Sequence, residues 1–512
     1  MGNANPNERN KPKFKLLNPK ILILIILLLF TMVVCTGGFP VAANGKVIYV
    51  NGSSGSDSNS GATWFLAKKT IKNATGTVKS GGTVHIADGV YKGANNGNIT
   101  INKNMSIIGQ SQTGNIIDAE HQDRIFLITS GVTVNLRTLT LADGTAVGNG
   151  GAIVNAHGTL KLTNITFRSN TASDGGGAIL NGFGILTVIR SIFTGNKAKG
   201  VNGNGGAIVN GGGTFMVTDS TFNWNTANDG GGAILNGGGT LKATGSTFMG
   251  NTARENGGAI LSAGGVLAMA NSDLINNMVG GRGGAIYNGF HDVTGVGDII
   301  KGRGNFTVTG SNLIGNTAAS GGAIYNNGGH GEVHFNRILQ NVIKDLVSSP
   351  GLVDARYNWW GSNRNPSNRV SGNVLVDPWL IANINAHPVD SFIITVNLLY
   401  DSHGNYHDPH LGHAPDGIPV TFYSASGALN PGLSNIVSGI ATSIFTPTTF
   451  GKAVVYARVD DQLLSIVTNS SNPNPSPSSA NAIPMQETGT PLYPLLMTLM
   501  VIGGSLLISR RK

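Results

Sequence analysis

The sequence predicts an all-β chain: a parallel β-helix of about 26 residues per coil, then a small β-sandwich and a C-terminal transmembrane helix. Three observations carry this. The tetrapeptide Gly-Gly-Ala-Ile occurs seven times, starting at Gly150, Gly176, Gly205, Gly231, Gly257, Gly283 and Gly321, most often 26 residues apart. A second signature runs out of phase with it: Phe167-x-x-Asn170, Phe193-x-x-Asn196, Phe222-x-x-Asn225 and Phe248-x-x-Asn251, continued by Leu274 to Asn277 and Leu313 to Asn316. Between the two, apolar and mixed positions alternate, as in Leu160-Lys161-Leu162 and Leu241-Lys242-Ala243. That is the period of a short strand with one inward face.

The spacing tells a rigid half of each unit from a tolerant one. From the first Gly of a tetrapeptide to the Phe or Leu of the next signature is 17 residues five times running. The sixth distance is 30, because a segment around His291 to Gly304 is inserted. Units that repeat at this length and accept insertions at one place stack as a solenoid. A helical repeat would need apolar residues at i, i+3, i+4 and i+7, and the glycine density opposes it.

Two polar columns fit stacked coils. Asn155, Asn181, Asn210, Asn236, Asn288 and Asn326 all lie two residues after the Ile, with Ser262 as the departure. Ser191, Ser220, Ser246, Ser272 and Ser311 form another row. Identical amides in register hydrogen-bond along an axis, so the Asn column is read as a structural ladder.

Gly-Gly-Ala-Ile alternating with Phe-x-x-Asn resembles the repeat of chlamydial polymorphic outer-membrane proteins, and the repeats of adhesin-like surface proteins of methanogenic archaea. The resemblance covers roughly residues 46–380. It implies a right-handed parallel β-helix displayed at a cell surface or outer membrane. The chlamydial proteins end in a large autotransporter barrel for which this sequence leaves no room, so the archaeal comparison is the closer one.

Composition narrows the functional classes. Glycine is 75 of 512 residues and charged residues are 12%, against norms of about 7% and 25%. No Gly-X-Y period exists, which excludes collagen. Of the formal charge of +9, +4 lies in residues 1–43 and +2 in residues 484–512. The middle has no basic stripe, so nucleic acid is not an expected partner. The sole cysteine, Cys35, falls in the N-terminal apolar run, so no disulfide or Cys-based metal site is expected in the mature chain.

Taken in order, Arg9, Lys11, Lys13, Lys15 and Lys20 precede an uncharged run from Ile21 to Cys35 and a Val41-Ala42-Ala43 ending. Residues 1–43 therefore read as a secretory signal. Residues 44–83 read as an N-terminal cap, with Ile71, Ala74 and Val78 at helical spacing, and 84–380 as the β-helix. Its start is similar to that of pectate-lyase-like β-helices. Asn358-Trp359-Trp360-Gly361 and Asp377-Pro378-Trp379 read as a cap over the last coil, as in similar endings of the archaeal proteins.

Residues 389–468 carry short strands and frequent turns, the pattern of a β-sandwich. Asp401-x-x-Gly404-Asn405 and Asp416-Gly417-Ile418-Pro419-Val420 resemble the bacterial Ig-like domains of invasin-type stalks, with Tyr406 to Pro415 as an insertion. A Ser/Pro/Asn-rich linker, 469–490, leads to the uncharged run 491–509 and Arg510-Arg511-Lys512. That run is long enough to span a bilayer, and its Thr-Gly, apolar span and basic tail are similar to a cell-wall sorting signal without the full motif.

Candidate chemistry is sparse. Asp174, Asp229 and Glu255 share one repeat position, and the last two belong to adjacent coils, where a carboxylate pair or a Ca²⁺ site is one reading and solvated turn acids the other. His403, His407, His410 and His413, with Asp401 and Asp408 among them, are candidate metal ligands or a plain exposed loop. Asn73, Asn98, Asn164 and Asn305 head Asn-x-Ser/Thr acceptor sequences. No catalytic residue and no cofactor is expected. The expected function is a non-enzymatic adhesin: a rod on a membrane-anchored stalk, binding cell-surface glycans or partner cells. The alternative is a polysaccharide lyase or hydrolase on a pectate-lyase-like β-helix.

Overall fold

The computed structural model describes residues 46–290, 303–388 and 391–470. The expected signal 1–43 with Cys35, nearly all of the linker, the span 491–509 and most of the insertion around His291 lie outside the described residues. No helix among the described residues is long and apolar enough to cross a membrane.

Each coil bends sharply where its tetrapeptide falls, and the two glycines are required there. Gly205 has a φ of +60°, and a Cβ on Gly206 would sit 2.1 Å from the Gly232 carbonyl oxygen one coil on. The same pair recurs in every Gly-Gly-Ala-Ile, so the turns nest. Seven coils carry this turn, and about eleven stack in all as a parallel solenoid.

Three rows of strands run along it. The first holds Ile153–Asn155, Ile179–Asn181 and Ile208–Asn210, paired Ile to Ile and Asn to Asn. The second and third are continuous in Thr159–Arg168 and split one coil later into Ile185–Ile189 and Ile192–Thr194. A fourth row is only two residues deep, from Thr145–Ala146 to Met278–Val279, and makes a separate six-stranded sheet. This fourth row was not read from the sequence, since two residues show no periodicity.

The inward side chains stack like on like. Phe167, Phe193, Phe222 and Phe248 lie ring over ring with centroids 4.6, 4.6 and 4.9 Å apart and planes within 7° of parallel. Leu274 and Leu313 extend the row in register. All are fully buried, and each ring removed from water contributes on the order of 2–3 kcal/mol of transfer free energy.

The first coil begins inside the stretch assigned to the cap, because Val47–Val50 pairs in parallel with Thr83–Ile86. The helix Ile71–Thr77, N-capped by Thr70, places Ile71, Ala74 and Val78 in the same core as Ile48 and Ile86. It closes the open end that stacked coils leave.

Beyond the last solenoid strand, Val370–Leu375, come two four-stranded antiparallel sheets. One contains Leu380–Pro388, Phe392–Asp401, Ile440–Pro447 and Gly427–Asn430. The other contains Leu433–Asn435, Pro419–Tyr423, Gly451–Val459 and Gln462–Ser470. Val396, Leu398 and Phe445 of the first sheet share a core with Val420, Phe422 and Val455 of the second. The sheets start at Leu380 rather than 389, since Leu380 and Ala382 already bury into this core.

Adjacent tryptophans join the two parts. Trp360 enters the solenoid core and Trp359 enters the sandwich core. The Trp359 indole N–H donates to Asp460 Oδ2 at 2.6 Å, and Arg337 Nε donates to the same oxygen at 3.0 Å. The Arg337 guanidinium also binds Asp460 Oδ1. The three tryptophans of the region are therefore structural, with the Trp379 indole N–H donating to the Asn363 carbonyl at 3.2 Å.

Candidate functional site

The polar columns are consumed internally. Asn155 Nδ2 donates to Asn181 Oδ1 at 2.7 Å, Asn181 to Asn210 at 2.7 Å and Asn210 to Asn236 at 2.8 Å. The ladder breaks at Ser262, and Asn236 turns to the Gly239 and Val266 carbonyls. It resumes from Asn288 to Asn326 at 2.9 Å. At the break, Ser262 Oγ and Asn288 Oδ1 are buried without a hydrogen-bond partner among the described residues.

A longer ladder, which the sequence reading does not predict, runs through the Asn of the Phe-x-x-Asn signature. Asn170, Asn196, Asn225, Asn251, Asn277, Asn316 and Asn341 bond in sequence, each amide to the next coil's carbonyl oxygen at 2.9–3.0 Å. Each such oxygen also accepts the backbone N–H of the Asn one coil back, as Asn251 Oδ1 does from Asn225 at 3.1 Å. Each amide reaches the backbone as well: Asn225 Nδ2 donates to the Phe193 carbonyl at 3.0 Å. The clue was there, since a Phe-x-x-Asn repeated in register must stack its Asn along with its Phe. In the Ser row, each hydroxyl accepts from the preceding coil's backbone and donates two residues back, as Ser220 does to Ser191 and Thr218.

The acid column holds together only in its backbone. Glu255 N donates to the Asp229 carbonyl at 2.9 Å, so the two lie on adjacent coils. Their carboxylates go to other partners. Asp229 Oδ2 accepts from Asn204 at 3.0 Å, and Glu255 pairs with Arg254 at 2.6 Å. Asp174 lies two coils from Asp229, with Gly203 between them.

The four histidines are dispersed. His403 faces Asp377 at 2.9 Å, and His407 faces Asp401 at 3.1 Å. His413 Nδ1 donates to the Ala414 carbonyl at 2.7 Å, which leaves Nε2 as an acceptor in the neutral ring. His410 is bound through its backbone to Asp408. Among the described residues no three His, Cys, Asp or Glu side chains come together as a metal site. The Asp401 carboxyl lies below the usual range: burial raises it, but N–H donors from Asn405 and His403 and the His407 ring outweigh that.

Of the acceptor asparagines, Asn73, Asn98 and Asn305 are exposed and Asn164 is half-buried. Asn98 donates to Asp123 at 2.6 Å, and Asn305 Oδ1 accepts from the His330 backbone at 3.0 Å.

The histidine loop does something the sequence did not foretell. It folds back onto the solenoid flank and roofs a cleft of about 770 Å³. Asn271, Asp273, Asn312 and His334 form the solenoid wall, and His410, Leu411, His413 and Asp416 the loop wall. Gly412 rests on the Phe335 ring, where a Cβ would lie 2.6 Å from the ring carbon, so only glycine allows this seat. Phe335 in turn stacks on Tyr357, with centroids 5.9 Å apart. His334 is turned toward Asp354, 3.2 Å away. Burial raises the Asp354 carboxyl, but the Arg356 guanidinium and backbone N–H, with His334, bring it down to about 2.

These features define a parallel β-solenoid closed by a helix at one end and joined to an antiparallel β-sandwich at the other. Residues 164–182 and 245–263 match the model of the Chlamydia polymorphic membrane protein (Chlamydia_PMP) repeat. The chain is thus a β-helix protein with repeats of the polymorphic-membrane-protein type. No curated protein matches it. Among solved structures a rhamnogalacturonan lyase is similar at 12% identity and a TM-score of 0.33, over 65% of this chain and 84% of that one.

Proposed function

We propose that this is a non-enzymatic, adhesin-like surface protein of the kind found on methanogenic archaea. The solenoid is its rod, the antiparallel sandwich an Ig-like stalk module, and residues 491–509 its membrane anchor. The observation that carries this reading is the inward turn of the repeating polar groups. Apart from the terminal Asn341, both Asn ladders and the Ser row are buried, so repetition serves rigidity. The acids a lyase or hydrolase would use on adjacent coils, Asp229 and Glu255, are held by Asn204 and Arg254.

A stiff rod of this kind works by carrying a binding surface away from the envelope, with avidity supplied by many copies. Two measurements on the producing cells test it together. Antibody against residues 46–290 should label intact cells, and deletion of the gene should reduce attachment to partner cells or glycan-coated surfaces. Labelling only after lysis, or unchanged attachment, would sink the reading.

A further inference from the structure

The cleft under the histidine loop has properties that select a ligand class. Its walls present polar side chains from two parts of the chain that lie far apart in sequence: Asn271, Asp273 and Asn312 from the solenoid, His413 and Asp416 from the loop. Two of these are carboxylates, and no Lys or Arg lines the cleft. The nearest cation in the same column is Arg337, which follows Asp273 and Asn312 in register and is tied to Asp460. A sulfated, phosphorylated or uronic ligand would therefore meet two carboxylates with no lysine or arginine on the walls to balance them.

Acceptors predominate on the walls. Asn312 Nδ2 donates to Asp273 Oδ1 at 2.7 Å and so holds that carboxylate at the wall, while Asn312 Oδ1 is itself buried away from the cleft. Its neighbours in the column show that the position does not demand Asn, since Thr247 and Arg337 occupy it one coil to either side of this pair. His413, with Nδ1 donating to the Ala414 carbonyl, adds a second acceptor at Nε2. Leu411, largely exposed at the loop tip, and the edge of Phe335 add apolar surface.

We infer that this cleft is a binding site for a neutral oligosaccharide, whose hydroxyl groups donate to Asp273, His413 and Asp416 while its ring carbons lie against Leu411 and Phe335. Hydroxyl-rich, uncharged and amphipathic, a sugar of roughly two or three rings fits both the chemistry and a cleft of this size. The inference deepens the adhesive reading and rests on it only for its biological use, because binding can be measured without cells.

The full chain, in detergent, is titrated by saturation-transfer-difference NMR with trisaccharides of glucose, mannose, galactose and xylose, and in parallel with a sialylated and a galacturonic trisaccharide. At least one neutral sugar should show transfer and the acidic ones none. Asp273→Ala and His413→Ala should each weaken the neutral signal about tenfold or more, the effect of one or two charge-assisted or neutral hydrogen bonds. Leu411→Asp, at an exposed loop tip that bears no fold, should do the same, which separates binding loss from unfolding. Val147→Ser, on an exposed turn several coils away, should leave it unchanged. Absence of transfer from every neutral sugar, preference for the acidic ones, or binding that survives all three cleft variants would overturn the inference. If attachment of cells is lost on gene deletion but restored by the cleft variants, the site is wrong and the adhesive reading stands. If the sugar binds and attachment does not depend on the gene, the reverse holds.

Discussion

Asn225 donates its side-chain amide to Asn251 in the next coil at 3.0 Å, and its own oxygen accepts both the amide and the backbone N–H of Asn196 one coil back. A single side chain thus links three coils. Its amide also satisfies the Phe193 carbonyl, so four hydrogen bonds pass through one fully buried residue. This is why the repeat keeps the Asn of Phe-x-x-Asn in coils where Phe gives way to Leu.

Asn225→Leu should therefore be among the more damaging single changes in the solenoid. It takes the Asn225 acceptor from one amide N–H of Asn196 and from the Asn196 backbone N–H, and the amide donor from the Phe193 carbonyl, at about 1–3 kcal/mol for each group not rescued. Denaturant unfolding should show a loss of several kcal/mol. A loss under about 1 kcal/mol would mean the ladder adds little beyond packing.

The interrupted ladder offers the opposite test. Ser262 Oγ and Asn288 Oδ1 are both orphaned where Ser replaces Asn. Ser262→Asn should rejoin Asn236 to Asn288 and stabilise the chain by about 1–2 kcal/mol, seen as a higher unfolding midpoint. No gain would show that the site cannot accept the larger side chain.

In the aromatic row, Phe193→Ala opens a cavity between Phe167 and Phe222 and should cost about 3–5 kcal/mol. Phe193→Leu should cost under about 2 kcal/mol, since Leu274 and Leu313 fill the same row two and three coils on from Phe222. Equal losses in the two variants would argue against stacked, interchangeable coils.

At the junction, Asp460→Ala strands Arg337 and the Trp359 indole N–H, both largely buried. Breaking such a pair costs about 3–5 kcal/mol. Calorimetry should then resolve the sandwich melting ahead of the solenoid. A single unshifted transition would show that the clasp does not couple them.

Acid should act partly through Asp354. Its carboxyl sits at about 2 in the fold against 3.8 for the unperturbed group. A depressed folded-state value means the unfolded chain binds the proton more readily. The stabilisation is complete above the unperturbed value and is lost as pH falls from there through about 2. Asp401 shifts in the same direction. The melting temperature of the natural chain should fall over this window, and that of Asp354→Asn should fall less. Parallel slopes would exclude Asp354 as a contributor.

Much of the fold was legible because a solenoid writes its geometry into the sequence once per coil. Ile153 above Ile179 and Phe167 above Phe193 follow from the period alone. The Asn170 ladder is written in the same period, because a Phe-x-x-Asn in register stacks its Asn along with its Phe. The cleft was not legible. Asn312 and His413 meet because a loop of the sandwich folds back over the solenoid, and no local pattern records where such a loop lands. The histidines drew attention for their number, but the fold gives His403, His407 and His413 separate partners. The start of the sandwich was misplaced for a related reason: Leu380–Pro388 becomes a strand only by pairing with Phe392–Asp401.

The account rests on coils that are equivalent units, and removing one of them tests this most directly. Excision of residues 231–256, one full 26-residue window, joins Gly230 to Gly257 and keeps every row in phase. Far-UV circular dichroism of that variant during heating should show an unchanged β spectrum and one cooperative transition close to that of the natural chain. Excision of 231–243, half a window, should abolish the transition. Unfolding of the full-window variant, or equal tolerance of both deletions, would contradict the stacked-coil account and the rod built on it.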